Sequence, residues 1–375
     1  MINFVTNLPR DLRSGGFSAL NAAACDALER RYPINYVGPI DPAVARWGKA
    51  LSKARRVSGL GGDFPAFSER RLAAIASEVG QRVDQKVRLD VFHGLTPWIA
   101  TRPQRPYLGW SDCTFADYID VYHDRGSFRP DDLARIEAAE GRWLRSARRV
   151  LFTSDWAARR AISRHQLAPD RVDCLGVFGA VEPPDHDAFA GGENFAFVSG
   201  DFDAKGGPVA LAALRLLRGT HPDATLTVIG HAPHGVANQP GVIRVGYLRK
   251  EIPDEHRRYR DILGGAVALA HPTRGDIAPL VLVEAALFGC PAIASRAFAI
   301  PELVEDGETG WLLDDPADPR ALAAAMRRLL DDPGYGRLRL NAWRRARANH
   351  GRDRFEARLL ASVDRALAET SVHAA

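Results

Sequence analysis

The sequence predicts an α/β protein of two doubly wound domains, on three observations. Short apolar runs that read as strands alternate with amphipathic stretches that read as helices, and this alternation occurs twice. Between the two series lies 182–194, EPPDHDAFAGGEN, rich in Pro, Gly and charge and without a period, which reads as a linker. The length of 375 residues carries a prior of about two domains, and an apolar content of 46% is enough for two cores.

The first series opens with an apolar strand over 2–5, a loop over 6–18 (TNLPRDLRSGGFS) and a helix over 19–30. A strand, a Gly-Gly loop and a helix place backbone N–H groups and a helix N-terminus where they can face an anion. Gly15 and Gly16 are therefore candidates for a phosphate contact, or else form a tight turn that needs two glycines. The spacing is not GxGxxG, so no nicotinamide site is read. A second strand covers 34–37. Residues 41–71 are rich in Arg, Lys, Gly and Pro and show little pattern. Within them 59–67, GLGGDFPAF, reads as a mobile loop with two aromatics, open to use as a lid, an acceptor loop or a membrane-touching tip. A helix over 72–83 follows, then a strand over 89–92 ending in His93-Gly94 and another over 106–110 running into Ser111-Asp112. A helix over 131–147, a strand over 150–153 and a helix running to about His165 complete the series, the last capped by Ser154 or Asp155.

The second series starts with a strand over 195–199 and the loop GDFDAKGG, residues 200–207. A helix over 209–218, a strand over 224–229 ending at Gly230, a segment over 242–248 that includes Gly246-Tyr247 and a helix over 254–263 follow. The apolar run 264–270 reads as a buried strand that His271-Pro272-Thr273 breaks. Arg274, Gly275 and Asp276 form a polar loop. A helix over 280–288 contains Glu284, and Gly289 ends it because Gly takes the left-handed cap without strain. A short strand covers 292–295, and a helix over 321–330 turns Leu322, Met326, Leu329 and Leu330 to one side as core. A last helix spans 354–368.

Composition narrows the function. No run of about 18 apolar residues exists, so no membrane-spanning helix is expected. The opening MINFVTNLPRDLR has too short an apolar run to read as a signal peptide. Cys25, Cys113, Cys174 and Cys290 are scattered, which argues against a zinc site or disulfide framework and fits the cytoplasm. Residues 1–190 hold 27 Lys+Arg against 23 Asp+Glu, whereas 191–375 hold 23 of each. The whole net charge of +4 thus sits in the first half, either as ordinary surface or as a basic face for anionic lipid or an anionic acceptor. No aromatic-basic interleaving suggests nucleic acid.

The stretch 271–313 carries a resemblance. Asp276 and Glu284, eight apart around an apolar segment, are followed by Ala285, Phe288-Gly289-Cys290-Pro291 and Glu305-Asp306-Gly307-Glu308-Thr309-Gly310. Together these landmarks resemble the signature of retaining glycosyltransferase family 4. The resemblance is strongest over 195–345. It implies the GT-B fold, two Rossmann-like domains facing a central cleft: an acceptor-side domain over 1–181, a linker over 182–194, and a nucleotide-sugar domain over 195–351. A C-terminal helix over 352–370 would pack back on the first domain.

The resemblance implies roles for particular residues. Lys205 would contact the donor diphosphate, and Asp276 would face the transferred sugar. Glu284 would accept hydrogen bonds from ribose hydroxyls. The donor side would also use Gly15, Gly16, Gly230, Tyr247, Leu248 and the N–H groups of Ala278 and Leu280. The family usually has an Arg after the position of Gly200. This chain has Asp201 there, and Arg274 is the candidate to replace that Arg. Asp112 matches a family Asp, while Ser111 stands where a His is usual, so His93 and Ser111 are candidates on the acceptor side. Pro279 and Phe298 stand where glycines are common. The implied reaction is retaining transfer of a sugar from a nucleotide diphosphate, most readily UDP or GDP, to a glycan, glycolipid or small-molecule hydroxyl. It would proceed on the front face and need no cofactor. Asp201-Phe202-Asp203 spells a DxD pattern, but Lys205 and helix N–H groups can hold the diphosphate, so no metal is expected. The expected location is cytoplasmic, with peripheral contact at the inner membrane face. A GT-B sugar-nucleotide epimerase and a nucleotide-sugar-binding module that has lost catalysis are the alternatives.

Overall fold

A computed structural model describes residues 1–13, 15–187 and 189–372. Ser14 of the expected 6–18 loop, Ala188 of the expected linker and residues 373–375 lie outside the described residues. Packing divides the chain into two units, one of residues 1–176 together with the chain from Phe355 on, the other of residues 177–354.

The first unit runs β1 (Ile2–Val5), α1 (Gly16–Glu29), β2 (Ile34–Val37), α2 (Arg46–Val57), α3 (Glu69–Arg82), β3 (Asp90–His93), β4 (Tyr107–Ser111), α4 (Phe115–Tyr122), α5 (Pro130–Ser146), β5 (Arg149–Phe152), α6 (Asp155–His165) and β6 (Val172–Cys174). Its strands form one parallel sheet in the order β2-β1-β3-β4-β5-β6. β1, β3, β4 and β5 are buried along their whole length, as parallel strands covered on both faces must be. That is why they read as short, mainly apolar runs. The order reverses between β1 and β3, and a switch point of this kind opens a crevice at the strands' carboxyl ends.

Sequence and structure part company over 41–71. The stretch with little pattern forms α2, a turn at Pro65–Phe67 and the start of α3. The loop over 59–67 is not an aromatic tip. Phe64 is buried among Phe67, Phe115, Phe128 and His123, with ring centroids 5.3–5.6 Å away, and its N–H donates to Asp132 Oδ2 at 2.6 Å. The helix α4 and the strand β6 were not read from the sequence. Both are short, and α4 is fixed by a local cap in which Thr114 Oγ1 accepts from the Asp117 N–H.

The second unit runs β7 (Asn194–Ser199), α7 (Gly207–Leu217), β8 (Thr225–Gly230), β9 (Val242–Gly246), α8 (Pro253–Gly264), β10 (Ala268–His271), α9 (Leu280–Leu287), β11 (Ala292–Ser295), α10 (Ile300–Leu303), β12 (Gly310–Leu313), α11 (Pro319–Asp331) and α12 (Tyr335–Asn349). Its parallel sheet has the order β12-β11-β10-β7-β8-β9, the doubly wound arrangement with its switch between β7 and β10. Leu322, Met326 and Leu329 of α11 are buried in the same core as Phe195, Phe197 and Leu226, as their spacing requires. Gly289 takes φ 68 after α9. Phe298 has φ 56, a conformation that costs a non-glycine residue roughly 1–2 kcal/mol.

α12 escaped the sequence reading because its buried face carries a cation. Arg339, with a side chain 2% exposed, donates to both Asp187 oxygens (2.6 and 2.7 Å) and to the carbonyls of Ala266, Phe288 and Gly264. It thereby satisfies backbone acceptors at the ends of α8 and α9, where a positive charge is also favoured by the helix dipole. The last helix, α13 (Arg352–Val372), leaves the second unit at Phe355. In the first unit Phe355 packs on Trp110, and Ser362 bonds Asp173. Among the described residues no helix is long and apolar enough to cross a membrane.

Candidate active site

In the second unit the loops after β7 and β10 meet at the switch point. Gly206 takes φ 81, and a Cβ there would lie 2.1 Å from the Pro272 carbonyl oxygen, so the close approach of the two loops requires glycine. The Arg274 N–H donates to the Ala204 carbonyl at 3.3 Å, and Ser295 Oγ holds the Thr273 carbonyl at 2.5 Å. These bonds bring the two candidate charged groups together. Lys205 Nζ donates to Asp276 Oδ2 at 2.5 Å and to the Gly275 carbonyl at 2.9 Å.

His271 closes the cluster from beneath. It is the last residue of β10, its side chain is 1% exposed, and Nε2 lies 3.5 Å from Asp276 Oδ2 without hydrogen-bonding geometry. Burial pushes the Asp276 carboxyl up, but His271 and Lys205 outweigh it and hold the group below the usual carboxylate range. Asp276 is thus an ionised carboxylate beside an ammonium, at the carboxyl end of a parallel sheet. Arg274 is exposed, one residue before Gly275.

Glu284 is buried on α9 and densely bonded. Oε1 accepts from Lys250 Nζ at 2.5 Å and from the Ala180 N–H at 3.1 Å, and Oε2 accepts from the Tyr259 hydroxyl at 2.6 Å. Much of the acceptor capacity expected to serve ribose is therefore spent on protein donors, leaving chiefly one lone pair of Oε2. Burial, with Glu284 alongside, drives the Tyr259 phenol well above its usual value, so it stays a donor. Lys250, Tyr259 and His271 were not singled out from the sequence. The first two lie on a loop and a helix, respectively 34 and 25 residues from Glu284, and no local spacing marks them.

The remaining donor-side candidates of this unit lie on neighbouring loops. Gly230, at φ 105, ends β8, and a Cβ there would sit 1.8 Å from the Ser199 carbonyl oxygen. Tyr247 is 56% exposed and stacks on His231 with centroids 5.5 Å apart, so it is not a core residue; Leu248 beside it is half-buried. Ala278 precedes α9, and Leu280 opens it, a position whose N–H has no partner within the helix. Asp201 is exposed and its carboxylate accepts from the Ala204 N–H.

In the first unit the candidates also gather at the switch point. Gly15 has φ 91 and precedes α1. His93 is fully buried between Phe17 and Trp110, each with its centroid 4.3 Å away, and its Nδ1 lies 3.1 Å from Thr6 Oγ1. Burial pushes its pKa down to about 3, so it is a neutral ring held by stacking, unable to carry charge at ordinary pH. Among the described residues its Nε2 has no hydrogen-bond partner. Ser111 Oγ donates to Asp112 Oδ1 at 3.2 Å, which orients the half-buried Asp112.

Glu140, also unread in the sequence, fixes both loops that carry these residues. From α5 its Oε1 accepts from Thr96 Oγ1 at 2.7 Å and its Oε2 from the Phe115 N–H at 2.8 Å.

Two doubly wound α/β units, each with its candidate residues at the switch point, define the fold class GT-B. The chain superimposes on sucrose-phosphate synthase from Thermosynechococcus elongatus with a TM-score of 0.68 at 17% identity, covering 98% of this chain and 99% of that one. It superimposes on HepE of Anabaena, solved with UDP-glucose, with a TM-score of 0.63 at 15% identity, covering 97% and 99%. At such identities the likeness concerns the fold. In sequence, residues 193–332 match the family described as glycosyl transferases group 1. Over 149 residues the chain is 36% identical to the glycogen synthase of Mycobacterium tuberculosis, covering 37% of this chain and 34% of that protein. The match thus spans about a third of the length of that relative. The family match and the Lys205–Asp276 pair fall in the same unit.

Proposed function

We propose that the protein is a retaining glycosyltransferase that moves a sugar from a nucleotide-diphosphate donor to an acceptor hydroxyl, using no metal. The observation that carries this reading is the Lys205–Asp276 pair at the switch point, inside the region that matches the group 1 glycosyl transferases. An ammonium there would meet the diphosphate as a compact point charge and stabilise the negative charge that grows as the nucleotide leaves. Asp276, held ionised, would orient the sugar and share Lys205 with the phosphate. The acceptor oxygen would attack on the face the nucleotide leaves, and the departing phosphate oxygen would take its proton. No enzymic nucleophile is required, so catalysis would consist of alignment and charge stabilisation.

UDP and GDP sugars are the donor candidates, and the acceptor is a glycan, a lipid-linked sugar or a small molecule. A peripheral contact with an anionic membrane belongs to the same reading. The test has two parts. A thermal-shift screen against UDP, GDP, ADP and dTDP, free and sugar-linked, should give a dose-dependent rise for one base. Transfer with that donor, followed by NMR, should give a product of unchanged anomeric configuration and unchanged rate in EDTA. An inverted anomer would remove the mechanism. Lys205→Ala should lower kcat/KM by roughly 10²–10³-fold, the usual effect of deleting a charge-stabilising donor.

A further inference from the structure

The helix α2 is turned inside out. Most surface helices bury an apolar stripe and show water a polar one. Here Ser52 is the buried residue of the helix, held by its Oγ on the Asp63 carbonyl at 2.7 Å. Arg55 Nε reaches the Gly61 carbonyl at 3.1 Å, and the Arg56 guanidinium lies over the Phe128 ring. The protein side of α2 is therefore small and polar. Its apolar residues face solvent: Trp47 is 66% exposed, Leu51 51% and Val57 81%, with Leu60 at 69% in the turn that follows. At 3.6 residues per turn Trp47, Ala50, Leu51, Ala54 and Val57 share an arc of roughly 120°. Arg46, Lys49 and Lys53, all exposed, line one side of that arc. Between Pro42 and Gly62 there are five Lys and Arg and no Asp or Glu, enough to account for the whole excess positive charge of residues 1–190. The acids that bound the segment are engaged elsewhere, Asp41 by Arg71 and Asp63 by Arg129.

We infer that α2 and the turn after it form a docking surface for an anionic membrane. Trp47, Leu51, Val57 and Leu60 enter the boundary between headgroups and acyl chains, and Arg46, Lys49 and Lys53 meet lipid phosphates. An apolar row beside an unopposed row of cations complements a surface that is itself greasy and negative. The inference rests on the reading that the protein meets a membrane and is independent of the sugar it transfers.

The test is co-sedimentation of the full chain with vesicles of phosphatidylglycerol and phosphatidylcholine, beside vesicles of phosphatidylcholine alone. Binding is expected to the anionic vesicles, with a blue shift of tryptophan emission. Lys49→Gln with Lys53→Gln should weaken it about 30-fold, from about 1 kcal/mol per cation near the surface. Trp47→Ser with Leu51→Ser should weaken it at least tenfold and remove the blue shift, with the thermal midpoint unchanged because both side chains leave the fold's interior untouched. Wild-type binding to anionic vesicles that both variants retain would place the membrane contact on another surface and overturn the assignment to α2. No wild-type binding would overturn the membrane contact altogether. Self-association in sedimentation velocity that Trp47→Ser with Leu51→Ser abolishes, without vesicle binding, would give the face to a second copy of this chain instead.

Discussion

Replacing Glu140 by Gln should stabilise the protein in alkaline solution and leave it nearly unchanged in acid. Burial raises the Glu140 carboxyl to about 7 from its ordinary 4.5, and the Thr96 hydroxyl and Phe115 N–H only partly offset that rise. The sign follows from the raised value. Between about 4.5 and 7 the folded chain holds a proton that the unfolded chain has released, so stability falls as pH rises. The contribution of the buried neutral acid is complete below the unfolded value and is lost once pH passes the folded one. A difference of 7 − 4.5 = 2.5 corresponds to about 3 kcal/mol at 1.36 kcal/mol per pH unit. The groups around Glu140 do not cancel this. His165 Nε2 lies 3.8 Å away, and burial lowers its pKa, which favours the neutral ring. Asp117 is engaged by Arg160, and Glu137 by Arg125 and Arg164, and both acids add to the rise. Gln keeps the shape and can donate to Thr96 Oγ1 while accepting from the Phe115 N–H. Urea unfolding of wild type and Glu140→Gln at pH 5, 6.5 and 8 should show a gap that opens with pH toward about 3 kcal/mol. Parallel pH profiles, or a variant less stable at pH 8, would refute the reasoning.

The other expectations concern the second unit. Tyr259→Phe removes the hydroxyl that Glu284 Oε2 accepts from and leaves a buried acceptor short of a partner, so stability should drop by about 1–3 kcal/mol in urea unfolding. Gly206→Ala forces a Cβ to 2.1 Å from the Pro272 carbonyl oxygen at a positive φ, and should abolish nucleotide binding in the thermal-shift screen, since it parts the two loops that join Lys205 to Asp276. Arg339→Met strips donors from three carbonyls and from Asp187, and should cost about 3–5 kcal/mol, read as a lower urea midpoint.

What could be read from the sequence follows from what burial does to a pattern. β1, β3, β10 and β11 are covered on both faces, so they are mainly apolar, interrupted only by single buried polar residues such as Asn3 and His271 or by polar ends such as Asp90 and His93, and their places could be read to within a few residues. Lys205 and Asp276 stand in loops that the strand ends announce, and a parallel sheet brings such loops to one end. Glu140, Lys250 and Tyr259 belong to another kind of information. Each is a polar residue whose surroundings come from segments 25 or more residues away, so nothing in its own neighbourhood distinguishes it from a solvated one. The helix α2 shows a further limit. Periodicity tells that a helix has two faces, but it does not tell which face turns inward. The side that packs is chosen by what the rest of the fold offers. Here it offers the Asp63 and Gly61 carbonyls, which Ser52 and Arg55 can satisfy and a Trp or Leu cannot. The apolar stripe is thereby left facing outward, and its free energy of burial is still available to a partner surface.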